Sequence, residues 1–262
     1  ETVYVGKRFP CLYYEDFTTN LNNLHAKANK RTCLSHYTNI EALLAIFTDC
    51  YWKASRIDNV DDVREQQYIC RLIEQNESLP YVISFDHSKS ENIALWCMYT
   101  LKEAGVMITL EKKSTERSVL KALLDTNRKV RAHQENNRFV DFSHWLLPET
   151  TTYSNVGVCC DLIDIDYHDT SKKIKECLPA KNMKNRSLFA AIKASEWKFQ
   201  NETRVISDFE LMQEDTNYDG EEIPIFDYLL LPITFERLHK ITITFSPWMG
   251  EYTKYAIRHY IE

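Results

Sequence analysis

Glycine and proline are scarce, at five and seven among 262 residues. Flexible tethers draw on those residues, so several domains on long linkers are excluded, and one domain over residues 1–262 is expected. The eight cysteines are scattered, and the chain has no Cys-x-x-Cys pair and no His-Glu-x-x-His run. Its one adjacent pair, Cys159-Cys160, lies in an apolar stretch that reads as a strand. Neighbours on a strand point to opposite faces, which suits neither a shared metal nor a simple bridge. No metal site is expected. No secretory leader is visible, and Glu1 rather than Met comes first, so an upstream segment can be missing. Together these features point to a reducing, cytoplasmic setting. No run of about 18 apolar residues occurs, so no membrane-spanning helix is expected. Charge of neither sign dominates: 32 Lys and Arg stand against 38 Asp and Glu, a net −6. That total advertises no bulk affinity for nucleic acid or membrane, but it is compatible with a local basic surface.

What the chain does have is core-forming material: 44% apolar and 12% aromatic residues, including 15 Tyr. This argues for a packed interior and against disorder. Thr32–Tyr37 reads as a strand entering a helix, with Thr38 as N-cap and Glu41 completing a capping box. Ile40, Leu43, Leu44 and Phe47 then follow the spacing of one buried helical face. Strands are expected at Tyr51–Ser55, Tyr81–Phe85, from Gly105, Val156–Ile165, Thr203–Ser207 and around Ile241–Phe245. Helices are expected at Val63–Glu74, Asn92–Leu101, Ser114–Leu124, Met183–Trp197 and Tyr252–Tyr260, while 127–152 yields no assignment. The elements mix without a repeated βαβ unit, which favours α+β over a doubly wound sheet.

Three segments could carry chemistry. Leu34-Ser35-His36-Tyr37-Thr38 places polar groups at a strand end beside a helix start. On composition alone the plainer reading weighs more: Thr38 caps and His36 is a satisfied core histidine. Ser84-Phe85 is followed by Trp96 and Tyr99, which share a helical face and could wall a pocket for a flat ring; such pairs are more often core. In Trp197-Lys198-Phe199-Gln200-Asn201-Glu202-Thr203-Arg204, Glu202 and Arg204 share a strand face, and Gln200 joins them if the strand begins that early. A carboxylate there could stabilise positive charge or take a proton, whereas an exposed Glu–Arg pair would do little.

In this order the motifs resemble a widespread bacterial family of unknown function. Its members show His-Tyr-Thr near the start, a Ser-x-x-x-Asn-Asp loop, Ser-Phe-Ser with Trp-x-x-Tyr, and a late Trp-x-x-Glu-x-Glu-x-Arg. The counterparts here are His36-Tyr37-Thr38, Ser55 to Asp62, Ser84-Phe85-Asp86, Trp96-Cys97-Met98-Tyr99 and Trp197 to Arg204. The resemblance runs from about Thr32 to Ser207. That layout in turn looks like the ADP-ribosyltransferase superfamily, especially its DarT-type nucleic-acid-modifying toxins. Arginine-specific members carry Glu-x-Glu at the late strand, and several with other acceptors carry Gln-x-Glu, the form of Gln200-Asn201-Glu202.

The resemblance implies a split mixed β-sheet core with flanking helices, and NAD as substrate. It implies that Glu202 stabilises charge on the ribose and that Gln200 positions the acceptor. His36 and Thr38 would anchor the nicotinamide-side ribose or the amide, Ser84 would support the glutamate, Tyr99 or Trp96 would stack on the ring, Arg56 would meet the pyrophosphate, and Tyr37 and Phe85 would belong to the same cofactor site. A macromolecular acceptor, nucleic acid or protein, is implied, in a toxin or phage-defence setting with a possible antitoxin or partner protein and no membrane. An NAD hydrolase and a catalytically silent nucleotide-binding module are the alternatives. Two expectations follow. His36, Ser84 and Glu202 should line a single cleft walled by Tyr99 or Trp96, with Glu202 within one NAD length of His36, ~15 Å, and Glu202→Gln should cost little stability.

Overall fold

The computed structural model describes residues 14–59, 79–88, 90–134, 138–145, 156–168, 190–211 and 226–261. The elements are α1 (Tyr14–Lys30), β1 (Cys33–Asn39), α2 (Ile40–Asp49), β2 (Tyr51–Arg56), β3 (Tyr81–Asp86), α3 (Ile93–Tyr99), β4 (Gly105–Lys112) and α4 (Val119–Leu123). There follow β5 (Val130–Gln134), β6 (Arg138–Trp145), β7 (Val156–Asp164), β8 (Asp166–His168), β9 (Ile192–Ala194), β10 (Glu202–Leu211), β11 (Tyr228–Pro232), β12 (Leu238–Phe245) and α5 (Glu251–Ile261). The fold is α+β, as the irregular mixture of elements implies.

Ten strands form one sheet in the order β10-β7-β6-β5-β11-β2-β3-β1-β4-β12, and β10 pairs in addition with β3. That extra pairing closes seven strands into a hydrogen-bonded circuit, leaving β1, β4 and β12 as an open extension. Every named ladder of this sheet is antiparallel except β6–β7. β10 occupies one edge of β3 from Tyr81 to Asp86. The other edge is divided. β2 pairs only with Tyr81 and Val82, and β1 only with Asp86. Between them, no ladder pair joins Ile83, Ser84 or Phe85 to either strand among the described residues.

Alternation along β3 sorts its side chains into two faces. Tyr81, Ile83 and Phe85 join the main core with Trp52, Val205 and Leu229. Val82 faces the other way, into a smaller cluster with Leu24 of α1, Ile57, Ala190 and Ile206.

Local choices depart from the sequence reading in four places. Asn39, not Thr38, caps α2: its side chain accepts the Ala42 N–H at 2.8 Å, while Thr38 is committed to the ladder opposite Val106. Both residue types can cap, so the strand's length decides. α4 is confined to Val119–Leu123, capped by Ser118. The helix expected to end at Trp197 is replaced by β9 and a 3-10 turn, Ser195–Gln200, because Ile192–Ala194 pair in parallel with Asp166–His168. The turn ends at Asn201, whose φ of 44° is left-handed. α1, β5, β6, β8 and β11 are additions to the expected elements. The Val63–Glu74 reading, Val60 to Asp62 and the first part of the Met183–Trp197 reading lie outside the described residues.

Candidate functional site around Glu202

β10 begins where the 3-10 turn ends, so Glu202 and Arg204 emerge on the β3 face that carries Ser84 and Asp86. Glu202 sits opposite Asp86, and Arg204 opposite Ser84. Glu202 is only 3% exposed, and its charge is met on both sides. Arg204 Nε donates to Oε1 at 2.6 Å, and Lys193 Nζ to Oε2 at 3.0 Å. The Ser84 side chain, on the same face, adds a smaller lowering effect on this carboxylate. Burial alone would raise its pKa, but the Arg204 and Lys193 cations outweigh burial and bring it down to about 2. The carboxylate is therefore ionised throughout the physiological range.

The network continues outward. Lys193 Nζ also donates to Gln200 Oε1 at 2.7 Å, and Gln200 Nε2 donates to the Tyr99 hydroxyl at 2.6 Å. Lys193 lies 5.3 Å from the Trp197 ring centroid. Arg204 Nη1 donates to the Ala190 carbonyl at 2.7 Å, and the Glu202 N–H donates to the Tyr167 hydroxyl at 2.9 Å. Lys193, Gln200, Glu202 and Arg204 are all buried, whereas Ser84 is exposed and Tyr99 is 39% exposed. A polar ligand can therefore meet this network at Ser84 and Tyr99.

His36 reaches the same strand from the other side. Its Nδ1 lies 2.8 Å from the Ser84 carbonyl, inside the gap between β1 and β2. A carbonyl only accepts, so Nδ1 carries the proton and the neutral ring presents Nε2 as an acceptor. The ring packs edge-on to Trp52 at 5.1 Å and tilted to Phe85 at 5.6 Å. That burial lowers its pKa, and the neutral form prevails.

The remaining candidates divide between core and site. Phe85 is buried among core groups, and Thr38 lies on the same face of β1 as His36. Tyr37 and Trp96 pack together with ring centroids 5.0 Å apart in a cluster with Leu95 and Met107. Trp96 is fully buried, and its indole N–H donates to Glu91 at 3.1 Å, so of the two stacking candidates only Tyr99 offers an open ring. The Tyr37 hydroxyl accepts the Asn92 N–H at 2.9 Å and thereby ties β1 to the start of α3.

Arg56 grips Asp58 with Nε and Nη2 at 2.7 and 2.8 Å, and Nη1 reaches the Phe226 carbonyl at 3.3 Å. It lies opposite Tyr81, on the face away from Ser84. These commitments leave it unsuited to the pyrophosphate role.

The residue that sequence reasoning missed is Lys193. The available signal was a single cation inside Ala190-Ala191-Ile192-Lys193-Ala194, a run otherwise too apolar for an exposed lysine. Among the described residues, no three His, Cys, Asp or Glu side chains are grouped to hold a metal, and no helix is long and apolar enough to cross a membrane. Cys160 is buried with Sγ 3.3 Å from the Ser207 hydroxyl, and burial pushes its thiol up to about 12. In comparisons with known proteins, no family model matches the chain, and no curated protein or solved structure does.

Proposed function

We propose that the chain is an ADP-ribosyltransferase-like enzyme that cleaves the nicotinamide–ribose bond of NAD and passes ADP-ribose to a macromolecular acceptor, protein or nucleic acid. The observation that carries this reading is the convergence of His36, Ser84 and Glu202 on one divided strand edge. The division of β3 between β1 and β2 supports the split-sheet core that the motif resemblance implies.

In the reaction the bond's electron pair leaves with nicotinamide. The acceptor's nucleophilic atom takes its place on the ribose carbon and gives up its proton. The protein's task is to favour the positive charge that develops on the ribose. Glu202, kept ionised by Arg204 and Lys193, supplies the opposing charge. A ribose hydroxyl that displaces the exposed Ser84 donor gains the same carboxylate as its acceptor. Gln200, bonded at both ends, acts on the acceptor side by fixing Tyr99. A cytoplasmic setting and control by an antitoxin-like partner belong to this proposal.

A second reading is a nucleotide-binding module without turnover. It is favoured by one observation: both Glu202 oxygens are already held by cations, in a residue 3% exposed. One pair of measurements separates the two. Nicotinamide release with label transfer from NAD into lysate, sensitive to nuclease or protease, supports the transferase. Saturable NAD binding with no release supports the module, and neither binding nor release defeats both.

A further inference from the structure

Away from Glu202, the ten-stranded sheet keeps one long open edge among the described residues. β10 is paired on both sides, with β7 and β3, whereas β12 is paired with β4 alone. The register shows which backbone groups that edge offers. The Ser246 N–H donates to the Gly105 carbonyl at 2.9 Å, and the Lys112 N–H, on the other side of β4, donates to the Thr32 carbonyl at 3.0 Å. Bonding sides alternate along an antiparallel ladder. Lys240, Thr242 and Thr244 therefore bond to β4, and Ile241, Ile243 and Phe245 direct their N–H and C=O groups away from it. The side chains of these three pack against the main core yet stay partly exposed. Thr242 and Thr244, on the opposite face, are partly exposed as well. Proteins guard such edges with charges, prolines and bulges. Here the guards stand at the two ends: Pro247 beyond one, and His239, Lys240 and a shift of register at the other. Ile241-Thr242-Ile243-Thr244-Phe245 between them carries no charge and is made of residues that favour strands.

We propose that β12 pairs with β12 of a second copy of this chain, antiparallel about Ile243. A row of alternating donors and acceptors is matched by an extended backbone. Turned about Ile243, this strand matches itself. Ile243 falls beside its own counterpart, Ile241 beside the copy's Phe245, Thr242 beside the copy's Thr244, and Lys240 beside the copy's Ser246. The outward-directed residues thus meet one another and can exchange both of their N–H···O=C bonds. Apolar groups face apolar groups, hydroxyls face hydroxyls, and the two Lys240 side chains stand at opposite ends. A parallel pairing would instead set Lys240 beside Lys240. A head-to-tail contact would need a second long open edge, but β10 is already paired on both sides, so the association closes at two copies. The ladder is short, so association in the micromolar range is expected. The proposal stands on its own residues and does not depend on the NAD reading.

The test is sedimentation equilibrium of the full chain from about 1 µM to about 1 mM. The mass should rise from the 30.9 kDa of one chain towards twice that value as concentration increases. Two double variants probe the register through side chains that lie off the main-core face. Thr242→Lys with Thr244→Lys sets like charges against each other across the pairing and should weaken association by about tenfold or more. Thr242→Lys with Thr244→Glu sets opposite charges there and should associate at least as well as the unaltered chain. Circular dichroism and melting temperature at the dilute end, where the chains are separate, show whether each variant is folded. The measurement on the unaltered chain needs no variant. A mass of 30.9 kDa at every concentration would overturn the proposal, whatever else covers this edge. Association of the folded first variant at undiminished strength, or loss of association in the folded second, would overturn it too. The assay contains no NAD, so its outcome leaves the transferase reading untouched.

Discussion

His36 and Glu202, 166 positions apart, both meet Ser84: His36 hydrogen-bonds its carbonyl, and the Ser84 side chain helps to hold the Glu202 carboxylate ionised. One residue on a divided strand edge thus joins the two ends of the motif series.

The first prediction concerns that carboxylate. The sequence reading expects Glu202→Gln to be cheap, but the structure reverses this, since the change strips a counter-charge from two buried cations. Breaking such a pair costs about 3 to 5 kcal/mol, so the melting temperature should fall by roughly 6 °C or more. If NAD turnover exists, it should drop ~10² to 10³-fold. Calorimetry comes first, and activity is compared at a temperature where both proteins are folded. An unchanged melting temperature would mean the ion pairs contribute nothing net.

The second concerns acid. Glu202 has a folded pKa of about 2 against an ordinary 4.5, so the unfolded chain binds the proton more readily. Its contribution, about 3 kcal/mol from that difference, is complete above pH 4.5 and is lost as pH falls through about 2. Urea midpoints measured down through this range should decline, and Lys193→Met should shift the decline to higher pH. A flat profile would contradict the charge arrangement.

The third concerns His36. Its pKa is lowered by burial, so below the ordinary value the unfolded state takes the proton first and stability declines as pH falls. Nitrogen NMR of the ring at neutral pH should show Nδ1 protonated and Nε2 bare. The opposite tautomer would remove the Ser84 carbonyl bond and, with it, the fixed acceptor.

The fourth separates the two cap residues. Asn39→Ala should cost about 1 kcal/mol, the usual value of an N-cap, while Thr38→Ala should cost appreciably less. Equal losses would show that α2 starts elsewhere in solution.

What could be read from the chain was what local physics decides. The period-two stretches at Gly105–Lys112 and Ile241–Phe245 gave their strands, and Asn92–Leu101 gave its helix almost to the residue. The failures are tertiary. Ile192–Ala194 carries a helix-compatible composition but is captured by Asp166–His168, a partner no local window contains. Lys193 owes its role to Glu202 and Gln200, so it stays invisible until the 3-10 turn folds back. Trp96 and Tyr99 share a helical spacing, yet only the packing of Tyr37 decides which one is buried.

The closure of the circuit by β3 and β10 also has a consequence for synthesis. A nascent chain can pair neither edge of this ring completely until Glu202–Leu211 has left the ribosome, and β11 must follow to join β5 to β2. Contacts of such long sequence separation form slowly. A growing chain that has not reached β10 lacks the pairing that brings Glu202 beside β3, and one that has not reached β11 lacks the link between β2 and β5. The Glu202 network therefore comes into being only after β10 has been made, long after β1 and β3.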